Sequence, residues 1–166
     1  MSTRHLIVVG VDGSDGGRRA LDWAVREADA RGGAVQAVTA WYWDGPEIGP
    51  GSATDAQASK AHATRLLDDE VRAVIVRHGS YVPIAAEVIQ GSPALVLAAA
   101  GRSGDLLVLG SHGHGRVRRT VLGSVSEEVI YKASCPVVVI PVTAPRRSEE
   151  IQPASEVTSS AGPSSR

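Results

Sequence analysis

Residues 5–14 read His5-Leu6-Ile7-Val8-Val9-Gly10-Val11-Asp12-Gly13-Ser14. A nearly unbroken run of Leu, Ile and Val is the pattern of a strand buried on both faces in a parallel sheet; a half-exposed strand would alternate apolar with polar residues. The run breaks into glycine, carboxylate, glycine and hydroxyl, so the chain turns at once. Ser14 or Asp15 is placed to cap a following helix. Ala20, Leu21, Ala24, Val25 and Ala28 lie on one face of that helix, and Gly32-Gly33 stops it. A buried strand feeding an amphipathic helix is the opening of a βαβ unit.

The unit recurs outward from this stretch. Strands are expected at residues 34–41, 83–89, 105–109 and 136–140, with helices at 54–78, 92–100 and 123–132. The long second helix carries a looser stripe of Ala58, Ala61, Leu66, Leu67, Val71, Val74 and Ile75, taken as core-facing, and Gly79 ends it. The alternation βαβαβαβαβ predicts a parallel sheet covered by helices on both faces, with the first strand in the middle and the last at an edge. Residues 44–53 hold two prolines and three glycines, the composition of a mobile loop. Residues 143–166 hold six Ser, two Thr and three Pro with no aromatic, so a disordered tail is expected after a single domain at 1–142.

Composition narrows the function. The chain has 166 residues, 43% of them hydrophobic and 21% charged, as in one ordinary globular domain. A formal charge of −1 gives non-specific nucleic-acid binding no bulk electrostatic support. No run approaches the roughly 18 apolar residues of a membrane helix. Cys135 is the single cysteine, so no intramolecular disulfide forms, and Met1 leads into the first strand without a signal-peptide plan. A cytoplasmic setting is expected.

Ligands of doubly wound sheets collect at the carboxyl ends of the strands, and two loops there hold candidate chemistry. In the first, Gly10, Asp12, Gly13 and Ser14 set a carboxylate beside glycines that let backbone approach a ligand; Asp12 and Ser14 can equally cap the helix. The second runs Gly110-Ser111-His112-Gly113-His114-Gly115-Arg116-Val117-Arg118-Arg119-Thr120-Val121-Leu122-Gly123-Ser124. Its glycines expose backbone N–H groups, and Gly123-Ser124 opens a helix whose free amides and positive dipole end favour phosphate. No packing reason for this glycine spacing is evident in the sequence. It lacks the Gly-Lys-Ser/Thr ending of a P-loop and is not a Gly-x-Gly-x-x-Gly fingerprint. Two histidines, 112 and 114, are too few for zinc. Trp23 and the Trp41-Tyr42-Trp43 cluster read as core and cavity-edge packing, and Cys135 as a buried filler.

The spacing Gly-x2-Gly-x9-Gly-Ser between the fourth strand and fourth helix resembles the nucleotide-binding signature of the universal stress protein family. The likeness extends over residues 4–142 through Gly91-Ser92-Pro93-Ala94, the block 105–111 and the closing Cys135-Pro136-Val137-Val138-Val139-Ile140-Pro141. It implies a flavodoxin-like three-layer αβα sandwich with five parallel strands, and ATP, with Mg, as ligand. By this resemblance Asp12 contacts the nucleotide and can hold Mg through it, with Gly10, Gly13 and Ser14 as neighbours. The backbone of Ala40 recognises adenine; Gly110, Ser111, His112 and Gly113 wrap ribose and phosphates; Gly123, Ser124 and Val125 serve the terminal phosphates. Arg116, Arg118 and Arg119 either clamp phosphates or solvate the loop. A homodimer through Val137, Val138, Val139 and Ile140 is implied as well. The expected role is an ATP-binding regulator of stress adaptation with slow or no hydrolysis. The alternatives are a Mg-dependent ATPase or phosphotransferase, a protein whose ligand is cyclic AMP or AMP, and a plain interaction module.

Overall fold

A computed structural model describes residues 5–42, 52–79, 81–113 and 122–141, without the side chains of 52–54. The elements run β1 (Leu6–Gly10), α1 (Asp15–Arg31), β2 (Ala34–Trp41), α2 (Ser52–His78), β3 (Ile84–Gln90), α3 (Pro93–Ala100), β4 (Leu106–Gly110), α4 (Ser124–Lys132) and β5 (Val137–Ile140). A short 3-10 turn, Gly101–Ser103, follows α3. Boundaries expected from sequence shift by a residue or two, and α2 begins at Ser52, inside the stretch whose composition reads as loop. Trp43, residues 44–51 of that loop, the stretch 114–121 with Arg116, and the tail lie outside the described residues.

The strands form one parallel sheet in the order β3-β2-β1-β4-β5. β1 is central because Ile7, Val8 and Val9 are fully buried and can bury both faces only between neighbours. Its register sets Val8 against Gln36 on one side and against Leu107 on the other. After β3 the chain returns across the sheet to β4, so strand order reverses between β1 and β4. Ile7, Val9, Val35 and Ala37 point to the face covered by α1 and α2, where they meet Leu21, Val25, Leu67 and Val74. Val8, Val38, Leu107 and Leu109 point to the other face and meet Ala94 and Leu97 of α3 and Val129 of α4. The result is a three-layer αβα sandwich of flavodoxin-like form. Trp23 packs against the first core, as a core reading expects.

The stripe on α2 differs from expectation. Ala58 is exposed and Ile75 is 41% exposed, whereas Ala63, Leu67 and Val74 are buried. The helix rests on β2 and β3 at one side of the sheet, so only a narrow strip of it reaches the core.

An ionic cluster ties the end of α2 to α1. Asp22 accepts a hydrogen bond from Arg77 Nη1 at 2.6 Å and lies 2.8 Å from His78 Nε2. Partial burial works to raise the pKa of Asp22, but the bonds to His78 and Arg77 outweigh it and hold the carboxyl below its ordinary value. A lowered folded-state pKa means that the stabilisation is present at neutral pH and lost as pH falls through that value. Asp22→Asn should therefore cost about 1 kcal/mol at neutral pH, roughly 3 °C in Tm. In thermal denaturation the difference between the two proteins should shrink as pH falls through the lowered pKa of the native carboxyl.

Candidate functional site

A cavity of about 540 Å³ opens at the carboxyl ends of β1, β2 and β4, the place where strand order reverses. Its apolar side is formed by Val38, Ala40, Pro93, Leu97 and Leu109. Its polar side is formed by Asp12, Ser14, His112, Ser124, Ser126 and Glu127 together with the glycine backbones.

The carboxylate of Asp12 is oriented by the cap of α1. Ser14 donates to Asp12 Oδ1 from its amide at 3.0 Å and from its hydroxyl at 2.6 Å. Ser14 Oγ in turn accepts from the amide of Gly17 at 3.1 Å, as an N-cap does. Capping and cavity-lining are thus the same arrangement: Ser14 caps α1, and both Ser14 and Asp12 line the cavity. Gly13 makes the turn between them at φ 77°, with Leu66 beneath it.

The glycine of β4 has a packing reason that the sequence does not reveal. A Cβ on Gly110 would lie 2.7 Å from the carbonyl oxygen of Gly16 and 2.8 Å from its Cα. A Cβ on Gly16 would in turn overlap the carbonyl of His112. The first turn of α1 therefore rests directly on the backbone leaving β4.

On the far side, α4 starts at Gly123 with no side-chain cap. Gly123 itself does not offer its amide to a ligand, because that amide donates to Ser111 O at 2.7 Å. The amide of Ser111 donates to Ile140 O, and the buried hydroxyl of Ser126 donates to Gly110 O at 2.8 Å, so both ends of the β4–α4 connection are anchored to the sheet. Glu127 makes the first intrahelical bond, to Gly123 O, so helical geometry leaves the amides of Ser124, Val125 and Ser126 without intrahelical acceptors. They present their N–H groups at the edge of the cavity, at the positive end of the helix dipole.

Of the residues singled out from sequence, Gly10, Asp12, Ser14, Ala40, Gly110, His112, Gly113, Gly123, Ser124 and Val125 line this one cavity. Gly13 and Ser111 do not: Gly13 makes the turn between Asp12 and Ser14, and Ser111 is buried beside the lining, its hydroxyl 3.2 Å from His112 Nδ1. Arg116 lies outside the described residues. Sequence reasoning missed Val11, Gly17, Val38, Pro93, Leu97, Leu109, Leu122, Ser126 and Glu127 as lining. Pro93, at the first turn of α3, stood in the Gly91-Ser92-Pro93-Ala94 stretch of the resemblance but was not read as a lining residue. Among the described residues no three His, Cys, Asp or Glu side chains are grouped to hold a metal. Burial raises the pKa of Cys135, the opposite of what an activated thiolate needs.

A five-stranded parallel sheet between two helical layers, with a cavity at its switch point, defines a flavodoxin-like α/β domain. The model of the universal stress protein family matches residues 3–141, and the chain belongs to that family. A universal stress protein of Mycobacterium tuberculosis is 34% identical over 155 residues, covering 93% of this chain and 53% of that protein. One from Thermus aquaticus is 35% identical over 136 residues, covering 81% of this chain and 96% of that protein. Against the mycobacterial relatives the chain spans about half their length. Among solved structures, UspA from Lactobacillus plantarum has a TM-score of 0.70 at 24% identity, covering 84% of this chain and 99% of its own. A family member from Burkholderia pseudomallei has a TM-score of 0.61 at 28% identity, covering 86% and 99%. A universal stress protein solved in complex with cAMP has a TM-score of 0.60 at 24% identity, covering 84% and 98%.

Proposed function

We propose that this chain is an ATP-binding universal stress protein, a nucleotide-dependent regulator in stress adaptation with slow or no hydrolysis. The observation that carries the reading is the cavity's polarity. Aliphatic walls from Val38, Ala40, Pro93 and Leu97 suit a purine, and the open amides of Ser124, Val125 and Ser126 suit its phosphates. Asp12 is then set to accept bonds from ribose hydroxyls or, through the bound nucleotide, to face Mg. The donor set fits this ligand class, since a backbone cradle accepts phosphate oxygens without requiring a cationic side chain. Slow or absent turnover is the reading taken with this lining, whose described carboxylates are Asp12 and Glu127, whereas rapid phosphoryl transfer employs several positioned metal ligands. The domain is taken as residues 1–142 and the setting as cytoplasmic.

The second reading, cyclic AMP or AMP as the physiological ligand, has its own support in the solved relative in complex with cAMP. Mass spectrometry of the small molecule released by heating freshly purified protein separates the two. ATP supports the proposal. ADP alone turns attention to hydrolysis and the enzyme alternative, cyclic AMP to second-messenger binding. Absence of any nucleotide, together with a failed titration with ATP and Mg, would leave an interaction module.

A homodimer through β5 belongs to the same proposal. β5 is an edge strand of four half-buried apolar residues, which invites pairing with a second copy. Val138→Asp should then reduce a dimeric mass to that of one chain in light scattering, and an unchanged mass would reject this interface.

A further inference from the structure

Resting on that reading of the cavity, we propose that Gly17 is a positioning residue: the absence of a side chain there is what allows the Asp12 carboxylate to lie against the first turn of α1 and face the ligand. The carboxylate sits in a slot between two glycines from different elements. A Cβ on Gly17 would lie 2.5 Å from Asp12 Oδ1, and a Cβ on Gly113 would lie 2.5 Å from Asp12 Oδ2. Each carboxylate oxygen is thus packed against bare backbone, one on the α1 side and one on the β4 side. In this slot Oδ1 receives both the amide and the hydroxyl of Ser14, while the amide of Gly17 closes the chain of bonds on Ser14 Oγ.

What a methyl group at position 17 would displace decides its consequence. Besides Oδ1, it would meet the Asp12 amide nitrogen at 3.3 Å and Ser14 Oγ at 3.5 Å, the latter ordinary contact. The closest atom is the tip of a short side chain with two rotatable bonds, so the carboxylate swings aside, while the Asp12 amide nitrogen has to give by only a few tenths of an ångström and the helix stays. Gly16 contrasts with it, because there the obstructing atom is the backbone carbonyl of His112, which has no such freedom. Alanine at position 17 also favours a helix by up to about 1 kcal/mol over glycine, so folding does not suffer. Gly17 therefore governs the orientation of a ligand-facing carboxylate rather than the stability of the domain.

The test is a double-mutant cycle on the full chain with Gly17→Ala, Asp12→Ala and the pair, titrated with ATP and Mg by calorimetry, alongside amide hydrogen exchange at Ser14 by NMR without ligand. Gly17→Ala should weaken ATP binding at least tenfold with Tm unchanged or raised. The same change in the Asp12→Ala background should weaken it less than twofold. Ser14 N–H should exchange faster in Gly17→Ala than in the parent, since its acceptor has moved. Equal ATP affinity of Gly17→Ala and the parent, independent effects in the cycle, or undiminished protection at Ser14 would overturn the inference. Loss of folding in Gly17→Ala would overturn it too, because backbone rather than carboxylate would then be the displaced group. If the parent chain takes no nucleotide, the proposed function fails, and protection at Ser14 alone decides whether Gly17 positions Asp12.

Discussion

Gly110→Ala is expected to lower Tm by roughly 10 °C and to abolish ligand binding. The added methyl would sit 2.7 Å from the carbonyl oxygen of Gly16. No side-chain rotation relieves a clash between two backbones. β4 is fixed between β1 and β5, and α1 is fixed by its Ser14 cap, so one of these elements has to shift. The cost belongs at the upper end for overpacking, about 3 kcal/mol, which for a domain of this size is several degrees per unit of free energy. Gly32→Ala is the informative comparison. Gly32 has a φ of 64° but open space around it, so only backbone strain of about 1 kcal/mol is at stake and the cavity is untouched. Thermal denaturation and ATP titration of both variants check the argument; a Gly110→Ala protein melting within about 2 °C of the parent would refute it.

Ser124→Pro should weaken ATP binding by a factor of about 10 to 100 while leaving α4 intact. Position 124 is the first residue of α4, where proline's fixed φ is accommodated and no intrahelical bond is lost. Gly123, with φ −78° and ψ 159°, already has the extended conformation that the residue before proline prefers. The substitution removes one amide and one hydroxyl from the helix terminus and little else. Loss of the amide alone, one hydrogen bond to a charged group worth about 1.5–3 kcal/mol, accounts for the expected range, the hydroxyl being replaceable by water. Calorimetry with ATP and with adenosine gives the decisive contrast: adenosine affinity should hardly change. Equal weakening of both ligands would place the phosphates away from α4.

Legibility in the sequence followed the range of the interactions involved. β1 and β4 were readable because strands buried on both faces must be continuously apolar, as Leu6-Ile7-Val8-Val9 and Leu106-Leu107-Val108-Leu109 are. α1 was readable because its caps, Ser14 and Gly32, are local. The stripe of α2 was not, since alanine serves helix propensity and core packing alike, and Ala58 and Ala63 differ only in what lies opposite them. Glycine spacing and Asp12 pointed to the polar half of the cavity. The apolar half stayed hidden: Val38, Leu97 and Leu109 read as core, and they are core, with one side turned to the opening. The need for glycine at 110 was invisible because its neighbour, Gly16, is distant in sequence and carries no signal of its own.

The pairing of β1 with β4 has a kinetic consequence. Leu6 and Asp105, hydrogen-bonded across it, are 99 residues apart in sequence, and the loops bearing Asp12 and His112 are brought together only when that loop of chain closes. Helices and the β1–β2 pairing draw on nearer contacts and carry a smaller closure entropy. In a refolding experiment, far-ultraviolet ellipticity should therefore recover ahead of nucleotide affinity, and a fragment ending before β4 should regain helices without ever acquiring a ligand.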